Sequence, residues 1–144
     1  MCLAERQGKI SDREWIWRIY CQLLRAPIEQ QWGWDEKSQH DNFSKNLLAT
    51  DFIVVSKQGN DIAAYLLRDR DDHFWLEMIL VEVKYQRSRI GSELLKKMQS
   101  KAADAGKPLM LSVMNSNPVQ GFYEKLGFVS YEQGADFRKM RWAP

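Results

Sequence analysis

The sequence predicts a mixed α/β fold, with a mostly antiparallel sheet that carries helices on both faces. Two observations lead to this fold class. Short β-branched runs separated by turn residues occupy residues 52–83, which is the pattern of antiparallel strands. A strand, a helix and a second strand then follow over residues 73–114, and such a unit adds a parallel connection to the sheet.

The first part of the chain is expected to hold a short strand at residues 2–7 and then two helices. Ser11 or Asp12 can cap the first helix, whose apolar residues recur at helical spacing, and Pro27 is expected just past its end. The second helix is expected over about residues 35–48.

Turn residues mark the remaining elements. Residues 58–61 are a hairpin signal, and Gly106 and Gly127 each follow a helix that they are expected to end. The expected elements are strands at 52–56, 62–67 and 73–83, a helix to about residue 105, a strand at 109–114, a short helix at 118–126 and strands near 128–131 and 135–142.

Composition limits the classes of function. The 144 residues fit one domain over residues 1–144, and 44% hydrophobic with 28% charged residues is typical of a globular protein. A net charge of +2, with basic residues scattered among acids, argues against nucleic-acid binding. Cys2 and Cys21 have no metal-site spacing, and no stretch is apolar enough for a membrane span or a signal peptide. We therefore expect a cytoplasmic protein that uses no metal.

Residues 79–91 have the pattern of an anion site. A β-branched run leads into a polar turn with Arg87 and Arg89, and a helix begins directly after it. The first N–H groups of a helix lack acceptors and carry partial positive charge, the arginines suit a phosphate, and Gly91 lets the backbone approach a ligand. An ordinary strand-to-helix connection with solvated arginines explains this segment alone equally well.

A second segment shifts the balance toward the anion site. After a buried strand, residues 115–118 form a helix-start signal with an N-cap candidate and a proline at the first helical position. Residues 86–91 and 117–128 resemble two motifs of the GNAT superfamily of acyl-CoA-dependent N-acetyltransferases. These are the pyrophosphate loop Gln/Arg-x-x-Gly-x-Gly/Ala and the signature Asn-Pro-x-x-x-Phe-Tyr-x-x-x-Gly-Phe. The resemblance is sharp over residues 73–131 and compatible over residues 12–68.

The resemblance implies that acetyl-CoA binds in a sheet splayed between two central strands. The main chain of Ile79 and Val81 would bind the pantetheine arm, with the Ile79 N–H donating to the acyl oxygen. Asn117 would cap its helix or hydrogen-bond the cofactor. Arg89 stands where the family usually has glycine, so its side chain must point away from the pyrophosphate or hydrogen-bond to it. The residues expected at the pyrophosphate are Gln86, Arg87, Ser88, Arg89, Ile90, Gly91 and Ser92.

The resemblance also implies a general acid, Tyr123, and a base is sought among the carboxylates. A phenol with a pKa of about 10 can protonate a departing thiolate of similar basicity; the alternative role of Tyr123 is packing beside Phe122 and Phe128. Glu77 is a lone carboxylate in an apolar run, where burial would make it a stronger base; the alternative is a solvated carboxylate. Many family members deprotonate the amine through water, so a dedicated base is not required.

The acceptor wall is predicted from local composition. Trp32, Trp34 and Asp35 fall between the first two helices, a region that forms one wall of the acceptor pocket in the family, and Tyr20 would join it. Aromatic faces and carboxylates suit a cationic amine. We expect one tryptophan to be buried and the other to line the site; the alternative is that both are core anchors and the acids cap a helix.

The sequence therefore predicts transfer of an acetyl group from acetyl-CoA to a primary amine of a small molecule or peptide. We expect a monomer or homodimer without nucleic-acid or membrane partners. Two other classes of function stay open: a non-catalytic acyl-CoA sensor, and a partner-binding subunit that retains the fold without the cofactor. Thermal shift with acetyl-CoA and thiol release with amines separate these possibilities.

Overall fold

The computed structural model describes residues 2–144. Short 3-10 turns precede α1, β2 and α3. The strands and α-helices of this range are β1 (Leu3–Gln7), α1 (Arg13–Trp32), α2 (Glu36–Asn46), β2 (Ile53–Lys57), β3 (Asn60–Asp69), β4 (Phe74–Val81), α3 (Ile90–Ala105), β5 (Leu109–Met114), α4 (Gln120–Lys125), β6 (Val129–Gln133) and β7 (Phe137–Trp142).

The strands follow the order β1-β2-β3-β4-β5-β7-β6 in a seven-stranded sheet. The pairs β1–β2, β2–β3, β5–β7 and β6–β7 are antiparallel, whereas β4 and β5 are parallel. The predicted mixed, mostly antiparallel α/β fold is thus confirmed. None of the helices within residues 2–144 has the length and apolar character needed to cross a membrane.

The chain divides into two compact units, and its extent as one domain over residues 1–144 stays a prediction. The first unit comprises the chain up to Leu66 together with Met78–Gln86. The second comprises Leu67–Glu77 and Arg87–Pro144.

The first unit holds α1 and α2, and its core is apolar. Buried side chains from these helices and from β2 and β3 include Ile16, Ile19, Phe43, Val54 and Ile62. The hairpin between β2 and β3 is confirmed, with Gln58 and Gly59 at positive φ in a two-residue turn.

The predicted end of α1 before Pro27 is wrong, because the helix continues to Trp32. A proline inside a helix removes one N–H donor and costs about 3 kcal/mol. Pro27 and Ile28 are both buried, so packing of this part of the helix offsets that cost. Gly33, at a φ of 84°, follows the helix and donates its N–H to the carbonyl of Glu29.

The second unit holds α3, α4 and the C-terminal strands. The apolar face predicted for α3 is confirmed, since Ile90, Leu94, Leu95 and Met98 are buried. Gly106, at a φ of 68°, ends this helix as predicted.

The predicted start of α4 is wrong by two residues. The helix begins at Gln120, with Val119 at the N-cap position, so Asn117 is not the N-cap and Pro118 is not the first helical residue. The N–H of Asn117 donates to the carbonyl of Met114 at 2.9 Å. This bond closes a turn directly after β5, and the helix begins three residues later.

Candidate functional site

The turn before α3 has an unusual backbone. Arg87 and Arg89 have φ values of 68° and 67°, in the left-handed region that glycine adopts most easily. Arg89, with ψ of 12°, directly precedes the helical Ile90. A left-handed residue followed by a right-handed one directs successive N–H groups toward one concavity, which is a common anion-binding arrangement. Non-glycine residues held in this way cluster at functional sites.

The first turn of α3 supplies donors and charge to that concavity. The N–H of Glu93 donates to the carbonyl of Arg89 at 3.0 Å, and the N–H groups of residues 90–92 precede this bond and lack an acceptor one turn back. The side chain of Ile90 is buried and anchors the helix start, whereas those of Arg87 and Arg89 are exposed. Ser88 and Ser92 are half-buried. The turn can therefore bind a phosphate or pyrophosphate.

Gly91 lies against α4. A Cβ added at Gly91 would lie 3.4 Å from Cζ of Phe122 and 3.9 Å from its Cε1. The sequence predicts that this glycine allows close approach of a ligand. In the structure, a Cβ here would also contact the Phe122 ring, so a side chain larger than that of alanine would press on that ring.

Tyr123 lies in α4 and is packed among aromatic rings. Only 8% of it is exposed, and its ring meets those of Phe122 and Phe128 edge to face, at centroid distances of 5.2 and 5.6 Å. Burial raises the pKa of Tyr123 to about 12. Its hydroxyl has no hydrogen-bond partner within residues 2–144. The phenol is thus protonated at neutral pH and free to donate, while its ring is packed as the alternative role requires.

Raised tyrosine pKa values predict a loss of stability at alkaline pH. The pKa of Tyr65 is also raised, by burial and by its hydrogen bond to Glu5 at 2.8 Å. An unfolded tyrosine releases its proton near pH 10, whereas the folded one retains it, so the free energy of unfolding falls as pH rises from about 10 toward 12. Denaturant titrations at intervals of pH measure this fall.

The matched variants for this experiment are Tyr65→Phe and Tyr131→Phe. The first should reduce the alkaline slope, whereas the second removes a hydroxyl from a residue that is 45% exposed and should not. A stability that stays constant up to about pH 11.5 would contradict the expectation.

Gln99 is a buried polar residue that sequence reasoning missed. It is 9% exposed, and apart from tyrosines it is the only buried residue of 2–144 with a polar side chain. Its Nε2 donates to the carbonyl of Leu126, the residue after α4, at 2.8 Å. A signal was available, because Gln99 follows Leu95 by four positions and precedes Ala102 by three, and so lies on the apolar face of α3.

The last part of β4 belongs to the first unit and contains Ile79 and Val81, the residues predicted to make main-chain contacts. The N–H of Glu82 donates to the carbonyl of Ile62 on β3 at 2.9 Å. Because hydrogen-bonding direction alternates along a strand, the main-chain groups of Val81 and Ile79 point away from β3. Nε2 of Gln86 donates to the carbonyl of Val81 at 3.1 Å. The side chain of Gln86 thus lies against the end of β4, and the cofactor-binding role of Ile79 and Val81 stays a prediction.

Glu77, the carboxylate predicted as a base, and Glu82, a second carboxylate just after β4, differ in exposure. Glu77 is exposed; its Oε1 lies 3.6 Å from Nε of Arg68, and its Oε2 accepts from Nε1 of Trp75 at 3.3 Å. The solvated alternative for Glu77 is therefore the one observed. The side chain of Glu82 is less exposed, at 17% against 35%, and its buried Oε1 lies 3.6 Å from Nη2 of Arg18. The role of Glu77 as base stays a prediction.

Trp34 belongs to an aromatic cluster that joins α1 to α2. Its ring stacks on Trp17 at 6.2 Å, and Cζ of Arg25 lies 5.4 Å from its centroid. Nε1 of Trp34 donates to Oε2 of Glu36 at 3.2 Å. The chain's own arginine therefore occupies a cation position on this ring.

The other predicted acceptor residues lie around this cluster. Tyr20 is buried and stacks on Trp17 at 5.5 Å, whereas Trp32 is 49% exposed. The expectation of one buried tryptophan is wrong, since Trp34 is half-buried. Asp35 is exposed at the N-cap position of α2, and its Oδ2 accepts from Oγ of Ser38 at 2.7 Å. Asp35 thus occupies the helix-capping position left open as an alternative.

In the second unit, the structure brings the turn at residues 87–92 into one arrangement with α4, through Gly91 and Phe122. Ile79, Val81 and Gln86 form a separate group at the end of β4 in the first unit. Tyr20 and Trp34 form another group there, through Trp17.

Comparison with known proteins bears on this geometry. The structure is similar to that of the PaiA N-acetyltransferase from Thermoplasma acidophilum in complex with coenzyme A, at 18% identity over 100% of both chains and a TM-score of 0.74. It is similar to a GCN5-related N-acetyltransferase from Rhodopseudomonas palustris, at 15% identity over 100% of this chain and 97% of the other, with a TM-score of 0.76. It is also similar to the ribosomal-protein-S18-alanine N-acetyltransferase from Escherichia coli, at 22% identity over 99% of this chain and 94% of the other, with a TM-score of 0.63.

These similarities concern the fold. A search of curated protein sequences found no match. The family model for the acetyltransferase (GNAT) domain matches residues 49–130, more than half of the chain, and this range includes both the turn before α3 and Tyr123. The chain therefore belongs to the GNAT acetyltransferase family.

Proposed function

We propose that this protein transfers an acetyl group from acetyl-CoA to a primary amine. The observation that carries the proposal is the left-handed turn at the start of α3, with its unpaired N–H groups and two exposed arginines. These groups fit a pyrophosphate in charge and in hydrogen-bonding capacity. The related PaiA enzyme was solved in complex with coenzyme A, which supports the choice of cofactor.

In this proposal, acetyl-CoA supplies an activated thioester, and residues 86–92 hold its pyrophosphate. The N–H of Ile79 donates to the acyl oxygen and so stabilises the charge that develops there. Val81 contributes main-chain contacts to the pantetheine arm. Tyr123 donates its proton toward the departing sulfur.

The base and the acceptor site are the remaining parts of the proposal. Glu77 accepts the amine proton, directly or through water, and its exposure gives water access to it. Trp32, Trp34, Tyr20 and Asp35 are proposed for the acceptor wall. Exposure supports Trp32 and Asp35 most strongly, since Tyr20 is buried and Trp34 already contacts Arg25.

Thermal shift with acetyl-CoA tests the proposed cofactor. At a concentration of about 100 times Kd, ligand binding stabilises the folded state by about 2.7 kcal/mol, which corresponds to a rise in Tm of roughly 8 °C. Thiol release is then measured with a panel of small amines and peptides. A shift without thiol release would favour the acyl-CoA sensor, and the absence of a shift at millimolar acetyl-CoA would favour the partner-binding subunit.

Substitutions of Arg89 separate backbone strain from charge. Arg89→Gly relieves the left-handed strain and Arg89→Ala retains it, so the glycine variant should be the more stable by about 1 kcal/mol. Both remove the guanidinium, and we expect both to weaken acetyl-CoA binding about tenfold, as loss of a charged hydrogen bond predicts. Thermal denaturation and calorimetric titration with acetyl-CoA measure the two effects.

Arg141→Ala, which removes an exposed arginine from β7, is the control for overall charge. Unchanged Kd values in both Arg89 variants would mean that the side chain points away from the pyrophosphate. Equal stability of the two Arg89 variants would contradict the proposed backbone strain at this position.

A further inference from the structure

The short helix α4 depends on other elements for its position. It has only six residues, and a helix of this length is not stable by itself in water. Tyr123, the general acid of the proposed function, lies within it. The contacts that hold α4 therefore also determine where the phenol lies.

One contact acts on the first half of α4. The side chain of Phe122 lies where a Cβ of Gly91 would meet it at 3.4 Å, so the start of α3 packs closely on this ring. Phe122 in turn contacts Tyr123 edge to face. This contact is apolar and sets a distance, but it carries little directional preference.

The contact at the other end of α4 is a directional hydrogen bond. The N–H groups of Leu126 and Phe128 donate to the carbonyl of Tyr123, at 3.0 and 3.1 Å, and the N–H of Gly127 donates to that of Glu124 at 3.0 Å. The carbonyl of Leu126 accepts from Nε2 of Gln99 at 2.8 Å. A side chain of α3 thus donates a hydrogen bond to the carbonyl of the residue that follows α4.

The identity of residue 99 is informative because burying an amide is unfavourable unless it is hydrogen-bonded. The neighbouring positions on this face of α3 are held by apolar residues, Leu95 and Ala102. What glutamine adds is a fixed hydrogen bond to the end of the helix that bears Tyr123.

We propose that Gln99 is a positioning residue for Tyr123, which it holds in place by tying the end of α4 to α3. The proposal rests on the proposed function, in which Tyr123 is the acid. Since an acid acts only within hydrogen-bond reach of its target, a small displacement of α4 slows the reaction without changing the chemistry of the phenol.

The test compares Gln99→Leu with Ala102→Gly. Ala102 is buried in the same helix and contributes no side-chain hydrogen bond to α4, so its substitution weakens α3 without breaking the tie. We expect Gln99→Leu to lower kcat by about 10- to 100-fold, with the KM for acetyl-CoA changed less than about threefold. Ala102→Gly should leave both constants close to the wild type at temperatures well below its Tm.

A double-variant measurement separates positioning from general damage. In a Tyr123→Phe background, Gln99→Leu should cause little further loss of kcat, because the group that it positions is absent. Full additivity of the two losses would overturn the proposal. An effect of Gln99→Leu no larger than that of Ala102→Gly would do the same.

A spectroscopic measurement tests the proposal even if the protein proves inactive. In protein labelled with ¹³C in the tyrosine rings, the Tyr123 signal is identified by its loss in Tyr123→Phe. Gln99→Leu should shift or broaden this signal, and Ala102→Gly should not. An unmoved Tyr123 signal would overturn the positioning role, whereas absence of acetyl transfer in the wild type would overturn only the proposed function.

Discussion

Replacement of Tyr123 by phenylalanine is expected to lower kcat by about 10²- to 10⁴-fold, the usual contribution of a general acid. The Kd for acetyl-CoA should change less than about twofold, because the proposed cofactor contacts are made by residues 79–92 and by Asn117. Steady-state rates of thiol release give kcat, and calorimetric titration gives Kd.

This substitution tests chemistry with little interference from stability. The hydroxyl of Tyr123 has no partner within residues 2–144, so its removal leaves no buried group unsatisfied. We therefore expect a free energy of unfolding within about 0.5 kcal/mol of the wild type at neutral pH. Tyr131→Phe, in the exposed strand β6, is the matched control for loss of a phenol. Turnover equal to that of the wild type would leave Tyr123 with packing alone.

The raised pKa of Tyr123 bears on how this acid works. With a pKa of about 12, the phenol remains protonated at neutral and mildly alkaline pH. Deprotonation of Tyr123 should therefore not limit kcat below about pH 11. Complete proton transfer from Tyr123 to a thiolate of lower pKa costs about 1.4 kcal/mol for each unit of difference between the two pKa values. A hydrogen bond from the neutral phenol to the developing thiolate is thus the larger part of its expected contribution.

The fold was largely predictable because periodicity and turn residues report on local structure. The apolar spacing of α3 and the strand at residues 109–114 needed no information beyond their own residues. The continuation of α1 through Pro27 was not predictable in this way, since burial of that residue outweighs its local preference. The start of α4 was also placed too early, because the helix-start signal at residues 115–118 is used in a turn that follows β5.

The candidate site was predictable where the main chain defines it. The turn at residues 87–92 has the backbone of a glycine-containing loop although arginines occupy both left-handed positions. Side-chain environments were less predictable, because they depend on residues distant in sequence. Glu77 pairs with Arg68 from the preceding strand, and Trp34 contacts Arg25 from the preceding helix. Neither arginine lies within residues 32–36, so the composition of that segment could not reveal these contacts.

Replacement of Gly91 by valine is expected to lower the free energy of unfolding by about 1–3 kcal/mol, the usual cost of forcing extra methyl groups into a packed contact. The Cβ of the new side chain would point at Phe122, and its methyl groups would have to displace that ring. Because Phe122 adjoins Tyr123, turnover should fall with stability. Gly91→Ala is the matched control, since its single Cβ at 3.4 Å requires only a small adjustment. Denaturant unfolding and thiol release measure both variants.

A compensating substitution distinguishes the two reasons for a glycine at this position. Phe122→Leu shortens the opposing side chain, so the Gly91→Val and Phe122→Leu double variant should recover at least half of the lost stability if packing is the cause. The thermal shift with acetyl-CoA should return with it, because the added side chain is directed at α4. A double variant that is stable but no longer binds acetyl-CoA would show that the phosphates require the space at Gly91. The glycine at position 91 would then serve mainly to let the backbone approach the ligand closely, and its contact with Phe122 would matter less.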